Sequence, residues 1–128
     1  MLELFEKVNS NIPIEFITIN GDMTAHGFSL DESATDEEVA DRYPKLMQIH
    51  QILQNMFSEV FPTTPIVFTF GNNDNKYHNQ PTLLKDKQEF YDFMYDLWFV
   101  QHKPNQKWAA SAEKTFKNGG YFRADIND

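Results

Sequence analysis

The chain contains no cysteine, which excludes a disulfide framework and thiolate-bound zinc. Basic residues are scarce: 11 Lys and Arg against 19 Asp and Glu leave a formal net charge of −8. Binding of nucleic acid or another polyanion by bulk attraction is therefore disfavoured, although a bound divalent cation reverses the field locally. No apolar run approaches the roughly 20 residues needed to span a bilayer. Met1 to Asn11 carry alternating charge and no apolar signal-peptide core, and no N-x-[ST] acceptor occurs. Taken literally, these absences describe a soluble chain that is not secreted; in a fragment they would say nothing about the parent. No repeat, low-complexity tract or long linker divides residues 1–128. With 41% hydrophobic residues and twelve Phe, a chain of 128 residues can bury a core as one domain.

Leu2, Leu4, Phe5 and Val8 are spaced like one face of a short helix. Ile14 to Ile19 reads as a strand, ended by the turn residues Asn20-Gly21-Asp22. Thr35 with Glu38 forms a candidate capping box. Leu46, Ile49, Leu53, Met56, Phe57 and Val60 then follow helical spacing, with a kink or restart expected at Pro44. Ile66 to Phe70 is a second apolar strand, stopped at Gly71. Asp86 and Glu89 are placed to cap a third helix bearing Phe90, Phe93, Met94, Leu97 and Trp98. Pro104 is placed to start a fourth, and Tyr121 to Ile126, after Asn118-Gly119-Gly120, read as a third strand. That order predicts an α/β fold with partly parallel strands, in which ligands gather at the carboxyl ends of strands.

Two loops sit at such ends. In Gly21-Asp22-Met23-Thr24-Ala25-His26, the carboxylate directly after the strand can point into a crevice. Hard divalent cations take oxygen ligands, and one Asp can bridge two of them; His26 is a candidate proton donor. In Gly71-Asn72-Asn73-Asp74, followed by His78-Asn79, the Asn72 carbonyl is a candidate neutral ligand, Asp74 a group that orients a neighbour, and His78 a substrate contact. Taken one at a time, both loops read more readily as ordinary turn chemistry. As a pair they say more, because a helical crossover between parallel strands brings both to one edge of the sheet. His50 falls on the polar side of the long helix and is expected to be solvated; His102 is expected to be an ordinary helix-end residue.

This ordered pair, strand–Gly-Asp-x-x-x-His and then strand–Gly-Asn-Asn-Asp, resembles the calcineurin-like metallophosphoesterase superfamily. Ala25-His26 is similar to the acid sphingomyelinase branch; Gly-Asn-Asn-Asp with His78-Asn79 is similar to the endopolyphosphatase branch. Phe116 to Phe122 is similar to the segment after the helical insert of these enzymes, so the resemblance covers about residues 14–126. It implies a layered α/β fold, strands linked by crossover helices, and a helical insert after the second strand. It also implies two divalent metal ions of the zinc, manganese or iron type, and hydrolysis of phosphoester or phosphoanhydride bonds by metal-activated water. Asp22 would bridge the metals, Asn72 would bind one, and His26 would help protonate the leaving group. Asn73 stands where most members carry a catalytic His; it can donate a hydrogen bond but cannot act as an acid. Relatives of this branch are secreted, lysosomal or vacuolar.

The superfamily also uses an Asp-x-His before the first strand, then a lone His and a Gly-His-x-His after the third. Neither Asp-x-His nor His-x-His occurs in this chain. The expectation is thus the middle part of a metallophosphoesterase domain, inactive alone, its substrate a phosphate ester or polyphosphate. A second reading is a degenerate domain kept as an interaction or structural subunit, its exposed apolar face covered by another chain. A third is a small acidic α/β protein with accidental motif matches.

Overall fold

A computed structural model describes residues 14–31, 33–80 and 86–126. The helix expected around Leu2 to Val8 lies outside them. Strand β1 (Ile17–Ile19), helix α1 (Asp36–Val60) and strand β2 (Ile66–Phe68) form the first half. The strands pair in parallel, Ile17 opposite Ile66 and Ile19 opposite Phe68, so α1 is the crossover that a parallel pair requires. Both strands are shorter than the apolar runs suggested.

Local chemistry starts α1. The Thr35 hydroxyl accepts from the Glu38 backbone N–H, and the Glu38 carboxylate accepts from the Thr35 N–H at 2.9 Å. Asp36, Glu37 and Glu38 in the first turn add favourable charge against the helix dipole. The helix runs unbroken through Pro44, so no restart occurs there. Its buried face matches the expected one at Leu46 and Val60 and departs from it elsewhere. Tyr43, Leu46, His50, Gln54 and Val60 point inward, whereas Ile52 and Met56 are exposed. Polar groups at 50 and 54 take inward positions because backbone and side-chain partners wait there.

After β2 comes the helical insert: α2 (Lys87–Tyr95), a π-helical stretch over Asp96–Gln101, a 3₁₀ turn over Lys103–Asn105, and α3 (Gln106–Gly119). Asp86 stands at the N-terminus of α2, but its side chain caps nothing. It accepts instead from Lys76 Nζ at 2.9 Å, in a mostly buried ion pair. Pro104 falls in the 3₁₀ turn, so α3 begins two residues later than expected. Gly120 closes α3 in the left-handed conformation, φ +69°, where a glycine carries no Cβ penalty.

The core is aromatic and centred on Phe68. Its ring lies 5.0 Å from Trp98, 5.6 Å from Phe116, 5.6 Å from Phe122 and 5.9 Å from Phe99. Leu97, Trp98 and Phe99 are all fully buried in the π-helical stretch. Residues 121–126 do not form the expected third strand. On the edge of β2 away from β1, Asn105 already acts as the partner: its Oδ1 accepts from Ile66 N–H at 2.9 Å, and its Nδ2 donates to Ile66 C=O at 2.8 Å. The C-terminal segment is held by side chains instead. Phe122 packs on Phe68 and Phe99, and Trp108 Nε1 donates to the Asp125 carbonyl at 3.1 Å. Among the described residues, no helix is long and apolar enough to cross a membrane.

Candidate functional site

The two expected loops meet at the carboxyl ends of β1 and β2, and glycine makes the meeting possible. A Cβ on Gly21 would fall on the Gly71 backbone nitrogen and lie 2.6 Å from its Cα. A Cβ on Gly71 would fall on the Asp22 backbone nitrogen and carboxylate oxygen, and lie 2.7 Å from Asp22 Cγ. Gly21 (φ +83°) and Asp22 (φ +53°) are both left-handed. That conformation costs a non-glycine residue about 1–2 kcal/mol, although Asp tolerates it better than most. The chain accepts the strain and thereby turns the Asp22 carboxylate toward the second loop.

Asp22 is exposed, and its Oδ1 accepts from Asn73 twice, from the backbone N–H and from Nδ2, each at 3.2 Å. The Asn72 amide lies between Asp22 and His78. One amide heteroatom is 3.1 and 3.3 Å from the Asp22 carboxylate oxygens; the other is 2.8 Å from His78 Nε2 and 2.9 Å from Asn79 Oδ1. With its nitrogen toward Asp22, the amide donates to the carboxylate and its carbonyl accepts from His78 Nε2–H. A half-turn of the amide sets its carbonyl oxygen beside the carboxylate instead, and oxygens so gathered suit a hard cation.

His26 and His78 stand edge to face, ring centroids 5.4 Å apart. A short parallel bridge places them. Leu30 N–H donates to the Lys76 carbonyl at 2.9 Å, and His78 N–H donates to the Leu30 carbonyl at 2.7 Å. The two loops are thus laced together beyond the strands as well as at their ends.

Beneath this surface, Asp74 is fully buried. Its Oδ1 accepts from Thr24 N–H at 3.1 Å, and its Oδ2 accepts from Gly71 N–H at 2.7 Å. The Thr24 hydroxyl donates to the Asn73 carbonyl. One carboxylate therefore ties the first loop to the second. Sequence reasoning missed Thr24, and it misplaced His50. His50 is fully buried, and its Nε2 donates to the Asp74 carbonyl at 3.2 Å. Burial lowers its pKa, opposed by the hydrogen bond to Asp74. His102 is also fully buried, accepting from the Ser58 hydroxyl at 2.8 Å and donating to the Thr64 carbonyl at 3.0 Å. It lies in a separate network under α1 and takes no part in the loop junction. The signal that would have flagged His50 is its spacing from Tyr43 and Leu46, which share its helix face.

The oxygen-bearing groups that this junction brings together are the Asp22 carboxylate and the Asn72 amide. A divalent ion takes four or more ligands. Among the described residues, no cluster of three or more His, Cys, Asp or Glu is placed to hold one. The pair fits part of a coordination shell and not the whole.

Comparison with known proteins bears on the same loops. No curated protein and no solved structure matches the chain. The family model for calcineurin-like phosphoesterases matches residues 1–126. The match spans both glycine-abutted loops and the crossover between them, and the chain belongs to the calcineurin-like phosphoesterase family.

Proposed function

We propose that the chain is part of a metal-dependent phosphodiesterase or polyphosphatase, of the acid sphingomyelinase-like or endopolyphosphatase-like type, and that it is inactive alone. The observation carrying this reading is the convergence of Asp22 and Asn72, from loops fifty residues apart, at one exposed edge of a parallel sheet. In the complete site, divalent metals supply an acidified water and polarise the phosphoryl oxygens. The residues of this chain bind and position. Asp22 and Asn72 hold metal through oxygen. Asn73 keeps the Asp22 carboxylate oriented through two hydrogen bonds. His26, exposed and beside His78, gives a proton to the departing oxygen. His78 fixes the Asn72 amide and faces the substrate phosphate.

The remaining ligands would come from outside the described residues, which makes residues 1–128 a single, incomplete metallophosphoesterase domain in this proposal. The second reading is a degenerate domain that serves as an interaction or structural subunit; Ile52 and Met56 on α1 and Phe16 beside β1 are exposed, and the rest of a complete domain would cover them as another chain would. The experiment is hydrolysis of bis-p-nitrophenyl phosphate and of polyphosphate by the purified chain with Zn²⁺ or Mn²⁺. The proposal expects no turnover from the chain alone, and Asp22-dependent turnover once the missing ligand segments are added in trans. Turnover by the chain alone would overturn its incompleteness. Silence after addition, with the added segments bound, would favour the degenerate subunit.

A further inference from the structure

We infer that His50, on the crossover helix, is a positioning residue for the metal-binding loops and acts through Asp74; as a statement about metal binding, this rests on the function proposed above. The path is short and buried. His50 Nε2 donates to the Asp74 carbonyl at 3.2 Å, and the Asp74 carboxylate accepts from Thr24 N–H at 3.1 Å and from Gly71 N–H at 2.7 Å. Asp74 thus holds one amide from each loop, and those are the loops that carry Asp22 and Asn72. His50, Asp74 and Thr24 are all nine-tenths or more buried, so water is kept from the bonds Asp74 makes to His50 and Thr24.

The side chain at 50 is suited to this task. With Nε2 protonated, Nδ1 is a bare lone pair, and Nδ1 is buried with no hydrogen-bond partner. A leucine at 50 would remove that unpaired atom but would leave the buried Asp74 carbonyl without its donor. The bond to Asp74 is thus what the imidazole supplies at this position. Phe90, edge to face with the ring at 6.3 Å between centroids, fixes its plane. The backbone at Asp74 is held from the helix side while its carboxylate is held by the loops. A shift of Asp74 is thereby a shift of Gly71 and of the adjacent Asn72.

Amide hydrogen exchange on the full chain tests this, comparing wild type, His50→Leu and His50→Gln. Glutamine places its amide nitrogen near the position of imidazole Nε2 and restores the donor. His50→Leu is expected to speed exchange at Thr24, Gly71 and Asn73 on the order of tenfold more than at the core amides of Trp98 and Phe116, because only the loop junction loses its tether. His50→Gln is expected to return the three amides to near wild-type rates. Equal changes at loop and core amides, or no rescue by glutamine, would overturn the positioning role. Should His50→Leu fail to fold, His50→Gln against His50→Met reads the same contrast. Mn²⁺ titration of wild type and Asp22→Ala separates the underlying reading. Mn²⁺ binding that is absent in wild type, or unchanged in Asp22→Ala, would defeat the metal function, while the exchange data would still decide the role of His50.

Discussion

Gly71→Ala puts the loop junction under the most direct strain. The φ of Gly71 lies outside the left-handed region, so alanine meets no conformational penalty there and the whole effect is steric. The new Cβ would fall on the Asp22 backbone nitrogen and carboxylate oxygen, and would lie 2.7 Å from Asp22 Cγ. Carbon pairs rest at about 3.5–4.0 Å, so the loops must part by about 1 Å. Overpacking of this kind costs about 1–3 kcal/mol. The Asn73 bonds to Asp22 stretch beyond hydrogen-bonding range as well, but Asp22 is exposed, and their loss adds only about 0.5–1 kcal/mol. The expected destabilisation is about 1.5–4 kcal/mol, read as a lower urea midpoint at unchanged m-value. Gly27→Ala is the matched control. That glycine is left-handed, φ +94°, with nothing within 4 Å of a Cβ, so its cost is conformational alone, about 1 kcal/mol. If Gly71→Ala costs no more than Gly27→Ala, the loops do not abut as described.

Three further outcomes follow from other parts of the fold. Asn105→Ala removes both bonds to Ile66 and leaves a buried N–H and C=O unpaired, with an expected loss of about 2–3 kcal/mol; Asn105→Asp, which sets a carboxylate against the Ile66 carbonyl, should be worse by chemical denaturation. Phe68→Ala empties the centre of the aromatic core and should cost about 3–5 kcal/mol. Burial lowers the pKa of both His50 and His102 from 6.5, so below about 6.5 the unfolded chain takes up protons that the native chain does not. Stability should fall as pH drops through 6.5 and level off beneath the folded-state values. Urea midpoints from about pH 7.5 to about pH 5.5 should show that fall, and a His50→Gln/His102→Gln double variant should flatten it.

The sequence is most legible where its signals are local or where topology admits one answer. The capping box at Thr35 and Glu38 needs only residues three apart, and it is present. The meeting of the Gly21 and Gly71 loops follows from two strands and a crossover helix, since parallel pairing leaves the carboxyl ends side by side. What was hidden depends on partners distant in sequence. The inward face of α1 was assigned from its apolar residues, but the Asp74 carbonyl needs a donor and finds it in His50. Spacing from Tyr43 and Leu46 marks His50 as inward-facing, but no residue near 50 identifies its partner. Tyr121 to Ile126 have strand composition, yet the edge of β2 they would join is closed at Ile66 by the Asn105 side chain. Asp86 carries a capping residue's chemistry, yet Lys76 is the stronger partner for its carboxylate. In each case a tertiary contact outweighs a sound local preference.

On the proposed function, Asp22 and Asn72 form the metal-binding edge of this chain. Paramagnetic broadening of the amide spectrum by Mn²⁺ tests it most directly, with wild type beside Asp22→Ala and Asn72→Leu. The account predicts weak binding that selectively broadens Asp22, Asn72 and Asn73, and that either substitution abolishes. Broadening spread over the acidic first turn of α1 and other surface carboxylates, unchanged in Asp22→Ala, would contradict it.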